Sequence, residues 1–119
     1  MPQGMGNLFK LASPAITMFF YRKYPAIYFN NVARDEAILQ KKFVKILLNK
    51  GSRQIGFKFC DEIGENHFPI KSWGNNSRIV LIPVEFLKKM DIIPNRKRAF
   101  ILHRHGSRFS DTPVFFVNC

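Results

Sequence analysis

Apolar and polar residues alternate along this chain in short runs parted by turn clusters, the pattern of a β-rich domain. Ala26–Phe29, placed after Pro25, reads as a strand. Asn30 or Asn31 then caps a short helix, with Asp35 and Glu36 in or near its first turns, where the helix dipole favours anions. Phe43–Leu48 alternates and then becomes continuous, as in a strand with one well-covered face. Asn49-Lys50-Gly51-Ser52 supplies a turn and Gln54–Phe59 alternates again, which predicts a hairpin. His67–Trp73 reads as a short strand, and Pro69 suits a sheet edge. After the turn Gly74-Asn75-Asn76-Ser77 comes a strand at Arg78–Ile82, and Pro83 opens a helix at the first turn, where its missing N–H costs nothing. Helical spacing in Val84–Met90 puts Phe86, Leu87 and Met90 on one face and Lys88 and Lys89 towards the other. Pro94-Asn95 turns the chain, Ala99–His103 is a strand, Arg104–Arg108 is a turn, and Pro113–Val117 is the last strand.

The two halves share this order of elements. Lys50-Gly51-Ser52-Arg53 and His105-Gly106-Ser107-Arg108 each follow one strand and precede another, so each half reads strand, short helix, strand, Gly-Ser turn, strand. The predicted fold class is α+β, mostly β: a small barrel of two pseudo-repeated strand–short helix–hairpin units, about 26–59 and 77–117. These units make one domain, 25–119, preceded by an N-terminal arm, 1–24. Within the arm, Met1–Asn7 is Gly-bearing and expected to be mobile, whereas Leu8–Tyr21 is apolar and aromatic. That stretch is too short to span a bilayer and is interrupted by Lys10 and Pro14. It lacks the positive start and small-residue cleavage site of a signal peptide. It is expected to pack on the domain or on a partner, offering a route to homo-oligomers.

Composition narrows the function. The chain has 119 residues, 46% of them hydrophobic and 14% aromatic, which excludes a disordered chain; thirteen phenylalanines supply a core without staples. Nineteen Lys/Arg face eight Asp/Glu, a formal charge of +11. Such a surface repels itself unless it meets a polyanion, and nucleic acid is the commonest one in a cell. Cys60 and Cys119 form neither a CxxC pair nor a disulfide framework, and the three histidines lack zinc spacing, so the expectation is a cytoplasmic protein without metal or cofactor. No GxGxxG or GxxxxGK[ST] occurs.

The run Ser77-Arg78, Ile79–Leu81, Ile82-Pro83, Val84–Met90, Asp91–Arg96 and Phe100–Leu102 resembles the AbrB/MazE/SpoVT swapped-hairpin family of transcription regulators. That family's pattern is a Gly-Arg, a short strand ending in Ile-Pro, a helix with Glu-Leu and basic residues, then a Pro-Gly-Asp turn and a further strand. The likeness covers about a quarter of the chain directly, with a weaker echo over Ile27–Phe59. It implies a barrel of interleaved hairpins that presents basic loops and strands to DNA, here built by one duplicated chain. By position Arg78 matches the Gly-Arg arginine and Lys88 a basic helix position. Leu87 falls on the next basic position, Asn95-Arg96 replaces Gly-Asp, and Arg98 falls on an apolar strand position.

The leading candidate site is therefore Arg96, Lys97 and Arg98 with Lys88, Lys89 and Arg78. Long cations at successive positions suit phosphates, each contact releasing a condensed counterion, and arginine also reads guanine. Lys41, Lys42, Lys45, Lys50 and Arg53 occupy equivalent places in the first half, and two related patches suit a two-fold duplex site. The expected function is duplex-DNA binding in transcription regulation or an accessory role, without catalysis and without a membrane partner. RNA or single-strand binding is the first alternative: Tyr21, Tyr24 and Tyr28 interleave with Arg22 and Lys23, although such rings are more often core, and Trp73 beside Lys71 is the stacking candidate. An assembly protein using its arm is the second. A Mg²⁺ nuclease built on Asp61, Glu62, Glu65 and His67 is the third, and His103 with His105 at i and i+2 reads as polar residues beside a turn rather than metal ligands.

Overall fold

A computed structural model describes residues 13–21, 24–74, 76–89, 97–105 and 114–119. Its elements are β1 (Ala15–Tyr21), β2 (Tyr24–Phe29), α1 (Asn31–Ala33) running on as a π-helical segment (Arg34–Ile38), β3 (Phe43–Asn49), β4 (Gln54–Cys60), β5 (His67–Pro69), β6 (Lys71–Trp73), β7 (Ser77–Leu81), α2 (Val84–Lys89), β8 (Arg98–Ile101), β9 (His103–His105) and β10 (Val114–Asn118). Alternation is the cause of the strands. In β4, Ile55, Phe57 and Phe59 are buried while Gln54, Gly56, Lys58 and Cys60 are partly exposed. The expected turn at Pro94-Asn95, residues 106–108 of the expected Arg104–Arg108 turn, Met90, and the expectations for residues 1–12, 22 and 23 lie outside the described residues.

The strands form two antiparallel sheets of five, ordered β6-β7-β2-β1-β8 and β5-β3-β4-β10-β9. Two chain segments serve both sheets. β5 lies beside β3 and, past Ile70, β6 lies beside β7; β8 lies beside β1 and, past Leu102, β9 lies beside β10. Leu102 is buried and Ile70 packs against the core. At each corner a backbone N–H extends the ladder that the chain is leaving, Ile70 to the Lys42 carbonyl at 2.8 Å and Leu102 to the Pro14 carbonyl at 2.9 Å. The strands change partners at these inward-facing residues, so the expected closed barrel is corrected to two sheets packed face to face.

β1 also differs from expectation. Residues 15–21 are no appended arm but a strand between β2 and β8, with Ile16 and Met18 buried. His67–Trp73 and Ala99–His103, each expected as one strand, are divided between the sheets at Ile70 and Leu102, and Arg104 and His105, expected in a turn, belong to β9. β2 pairs with β7, and β4 pairs with β10.

Between the sheets, Phe29 meets Phe57 and Phe59 edge-on at 5.5 and 5.6 Å, and Phe59 meets Phe115 at 5.8 Å. Phe86 of α2 is buried against Phe68 at 5.0 Å, as its helical position predicts. Of the two candidate caps, Asn30 acts. Its Oδ1 accepts from the Ala33 N–H at 2.9 Å and the Ala15 N–H at 3.2 Å, and its Nδ2 donates to the Ser13 carbonyl at 3.0 Å. One side chain thus starts the helix and ties down the start of β1. Phe57→Ala is expected to lower stability by about 3–5 kcal/mol. Asn30→Ala is expected to cost about 0.5–2 kcal/mol for the cap alone, with the strand tie in addition. Urea denaturation midpoints of the two variants check both.

Candidate nucleic-acid interface

The link from β2 to β3 crosses from one sheet to the other. It carries Arg34, Lys41 and Lys42 to the place where Arg78 of β7 emerges, and these four cations line an open groove of about 1010 Å³. The π-helical segment ends at Leu39, whose N–H donates to the Arg34 carbonyl at 2.7 Å. Leu39 has φ +56° and ψ −119° and is 58% exposed. A leucine in this left-handed region is strained, and it turns Gln40–Lys42 along the groove wall.

Asp35 and Asp61 share the groove. Asp35 pairs with the Arg34 guanidinium at 2.7 Å, and Asp61 lies 3.6 Å from the Lys41 ammonium while accepting from the Lys42 N–H at 3.1 Å. Four cations against two carboxylates leave the groove positive. Both carboxylates are more than half exposed, at 59% and 56%. The Lys41–Asp61 pair, exposed on both sides, is worth only about 0–1 kcal/mol, whereas Arg34 is 24% exposed and holds Asp35 through both its Nε, at 2.8 Å, and its Nη2. Arg78 is partly buried and its Nη1 donates to the Ser77 carbonyl at 2.9 Å, which holds the guanidinium at the mouth.

On the other side of the β6–β7 turn lies a second groove of about 760 Å³, lined by Phe19, Tyr28, Trp73 and Lys97 among others. The Tyr28 and Ser77 hydroxyls are 2.8 Å apart, and the Trp73 ring meets Tyr21 edge-on at 5.1 Å. Gly74 opens the turn at φ +67°, a conformation that suits glycine. The grooves share this turn: Asn76 lines the aromatic one and its Oδ1 accepts from Arg34 of the cationic one at 3.4 Å.

The remaining predicted residues go elsewhere. Lys45 faces Lys58 and His67 in register on the outer side of the second sheet. Lys50 and Arg53 sit in the β3–β4 turn, with Arg53 at φ +54° and its Nε 3.5 Å from the Cys119 carbonyl. The Arg98 guanidinium lies over the Phe100 ring at 5.1 Å, and Lys89 is exposed at the end of α2. Arg96 and the Lys88 side chain are outside the described residues. The two related patches expected from sequence are therefore not found among the described residues. Lys41 and Lys42 precede β3 and join Arg78, whereas Lys45 lies within the strand, where alternation sends it to the outer face. Arg34 was missed by sequence reasoning; its one signal is that it is the sole cation in the predicted first helix.

The acidic stretch does not assemble a metal centre. Among the described residues no three of His, Cys, Asp and Glu come together. Asp61 is engaged in the groove, and the His67 Nδ1 lies 2.9 Å from the Glu65 carbonyl. His103 rests against Phe116 at 5.2 Å. No helix among the described residues is long and apolar enough to cross a membrane. Comparison with protein-family models, curated proteins and solved structures returns no match to this chain.

Burial pushes the Cys119 thiol above its ordinary value, against a smaller downward pull from Arg53 and Arg98. The fold thus favours the neutral thiol. Its contribution is fully present below the unfolded thiol's pKa and is lost as pH rises through the raised folded value. In a Cys60→Ser background, Arg53→Ala is expected to move the thiolate absorbance midpoint further up, because a cation that favours the thiolate has gone.

Proposed function

We propose that this chain is a nucleic-acid-binding protein that receives a phosphate backbone in the groove of Arg34, Lys41, Lys42 and Arg78. The observation that carries the proposal is the convergence of four cations, from both halves of the chain, on one groove that holds only two carboxylates, both exposed. A polyanion entering there gains both the cations and the entropy of its released counterions. The formal charge of +11 favours its approach from a distance.

In its DNA form, the role is that of a transcription regulator or accessory factor with a duplicated AbrB-like architecture. What supports this form is the resemblance across 77–102 and the common order of elements in the two halves. The site acts by binding and no chemistry is assigned to it. Free Cys60 and Cys119 fit a reducing compartment, and we place the protein in the cytoplasm.

The test is a salt-resolved titration against duplex DNA, single-stranded DNA and RNA. Affinity is expected to fall linearly on a log–log plot. Lys42→Ala and Arg78→Ala are each expected to reduce the slope by about one unit for one lost phosphate contact. Lys45→Ala, on the outer face, is expected to leave the slope unchanged. A chain that no polyanion retains, or a slope indifferent to Lys42 and Arg78, overturns the proposal.

A further inference from the structure

We propose that the bound strand is unpaired, with its bases stacked in the groove of Trp73, Tyr28 and Phe19 while its phosphates follow the neighbouring cations. This inference rests on the phosphate-binding reading above, and it stands against that reading's duplex, AbrB-like form.

The two grooves are placed for one strand. Ser77 and Arg78 are consecutive residues of β7, and successive side chains of a strand point to opposite faces. Ser77 lines the aromatic groove and Arg78 the cationic one. Asn76 lines the aromatic groove and accepts from Arg34 of the cationic one, and this contact is the rim between them. A chain laid over this rim meets rings on one side and guanidinium and ammonium groups on the other.

The aromatic groove is prepared for flat, electron-rich ligands. Tyr28 is pinned by Ser77 and Trp73 is steadied by Tyr21, so neither ring loses much freedom when a base lands. Lys97 adds a cation to the wall, and among the described residues no carboxylate lines this groove. Positive charge beside ring faces is the composition that holds single strands without regard to sequence. A duplex keeps its bases stacked on one another and offers only edges and phosphates, so rings recessed in a groove gain nothing from it. An unpaired strand uses both surfaces.

Trp73 is the chain's only tryptophan, so its fluorescence reports this groove directly. The experiment titrates the whole protein with a thymidine oligonucleotide, an abasic oligonucleotide of equal length and a duplex, reading fluorescence and affinity together. The base-bearing strand is expected to quench Trp73 and to bind more tightly than the abasic strand or the duplex. Trp73→Leu is expected to weaken the thymidine strand about 5- to 100-fold, the loss of roughly one stacked base, without changing affinity for the abasic strand. Trp73→Phe, which keeps a ring, restores much of that loss and separates stacking from damage to the fold. Equal binding of base-bearing and abasic strands without quenching overturns this inference and leaves phosphate binding standing. A preference for duplex overturns it too. Failure of every probe to bind removes both.

Discussion

Phe29 presses its ring edge against Phe57 and Phe59 of the facing sheet, and the position of the site follows from that contact. With the sheets held face to face, the link after β2 must cross the gap between them at the end of the sandwich. Asn30 begins the crossing by capping the helix and fastening the start of β1, and Leu39 ends it by reversing the backbone. The register that buries Phe29 also sets it opposite Arg78 on β7. The core anchor and a groove cation are thus cross-strand neighbours.

Much of the fold was legible because alternation is a local property. β3, β4, β7 and β10 appear in the sequence within a residue or so of their observed ends, as does the Phe86 face of α2. The partner of a strand is not local. At Ile70 and Leu102 a single inward-facing apolar residue carries the chain from one sheet to the other, and in sequence each looks like any other strand position. β1 was obscured differently. In Leu8–Tyr21 apolar residues fall on both faces, so no period stands out, and an integral strand reads as an appended arm. The π-helical stretch was equally hidden, because capping residues mark where a helix starts and not how its hydrogen bonds are spaced.

The site was half legible for the same reason. Charge count pointed to a polyanion and the turn cluster beside Trp73 pointed to an accessible ring, both properties of nearby residues. What the sequence concealed was parity and crossing. Lys42 and Lys45 lie three positions apart, yet one belongs to the groove and the other to the outer face. On that outer face Lys45 stands directly opposite Lys58, an arrangement that weakens a sheet. At this position the positive charge is carried against local stability and not in its service.

The corners at Ile70 and Leu102 have a consequence for how copies of this protein behave towards one another. They make the outermost strands of both sheets very short: β5, β6 and β9 have three residues and β8 has four. Pro69, Lys71, Arg98 and Arg104 sit on these four strands, one on each. A short border bearing a proline or a cation is a poor template for a further strand, since it offers few backbone groups and a like charge repels its copy. Among the described residues, the borders of both sheets are thereby poor starting points for fibre growth by edge addition in a chain so rich in phenylalanine and β-structure.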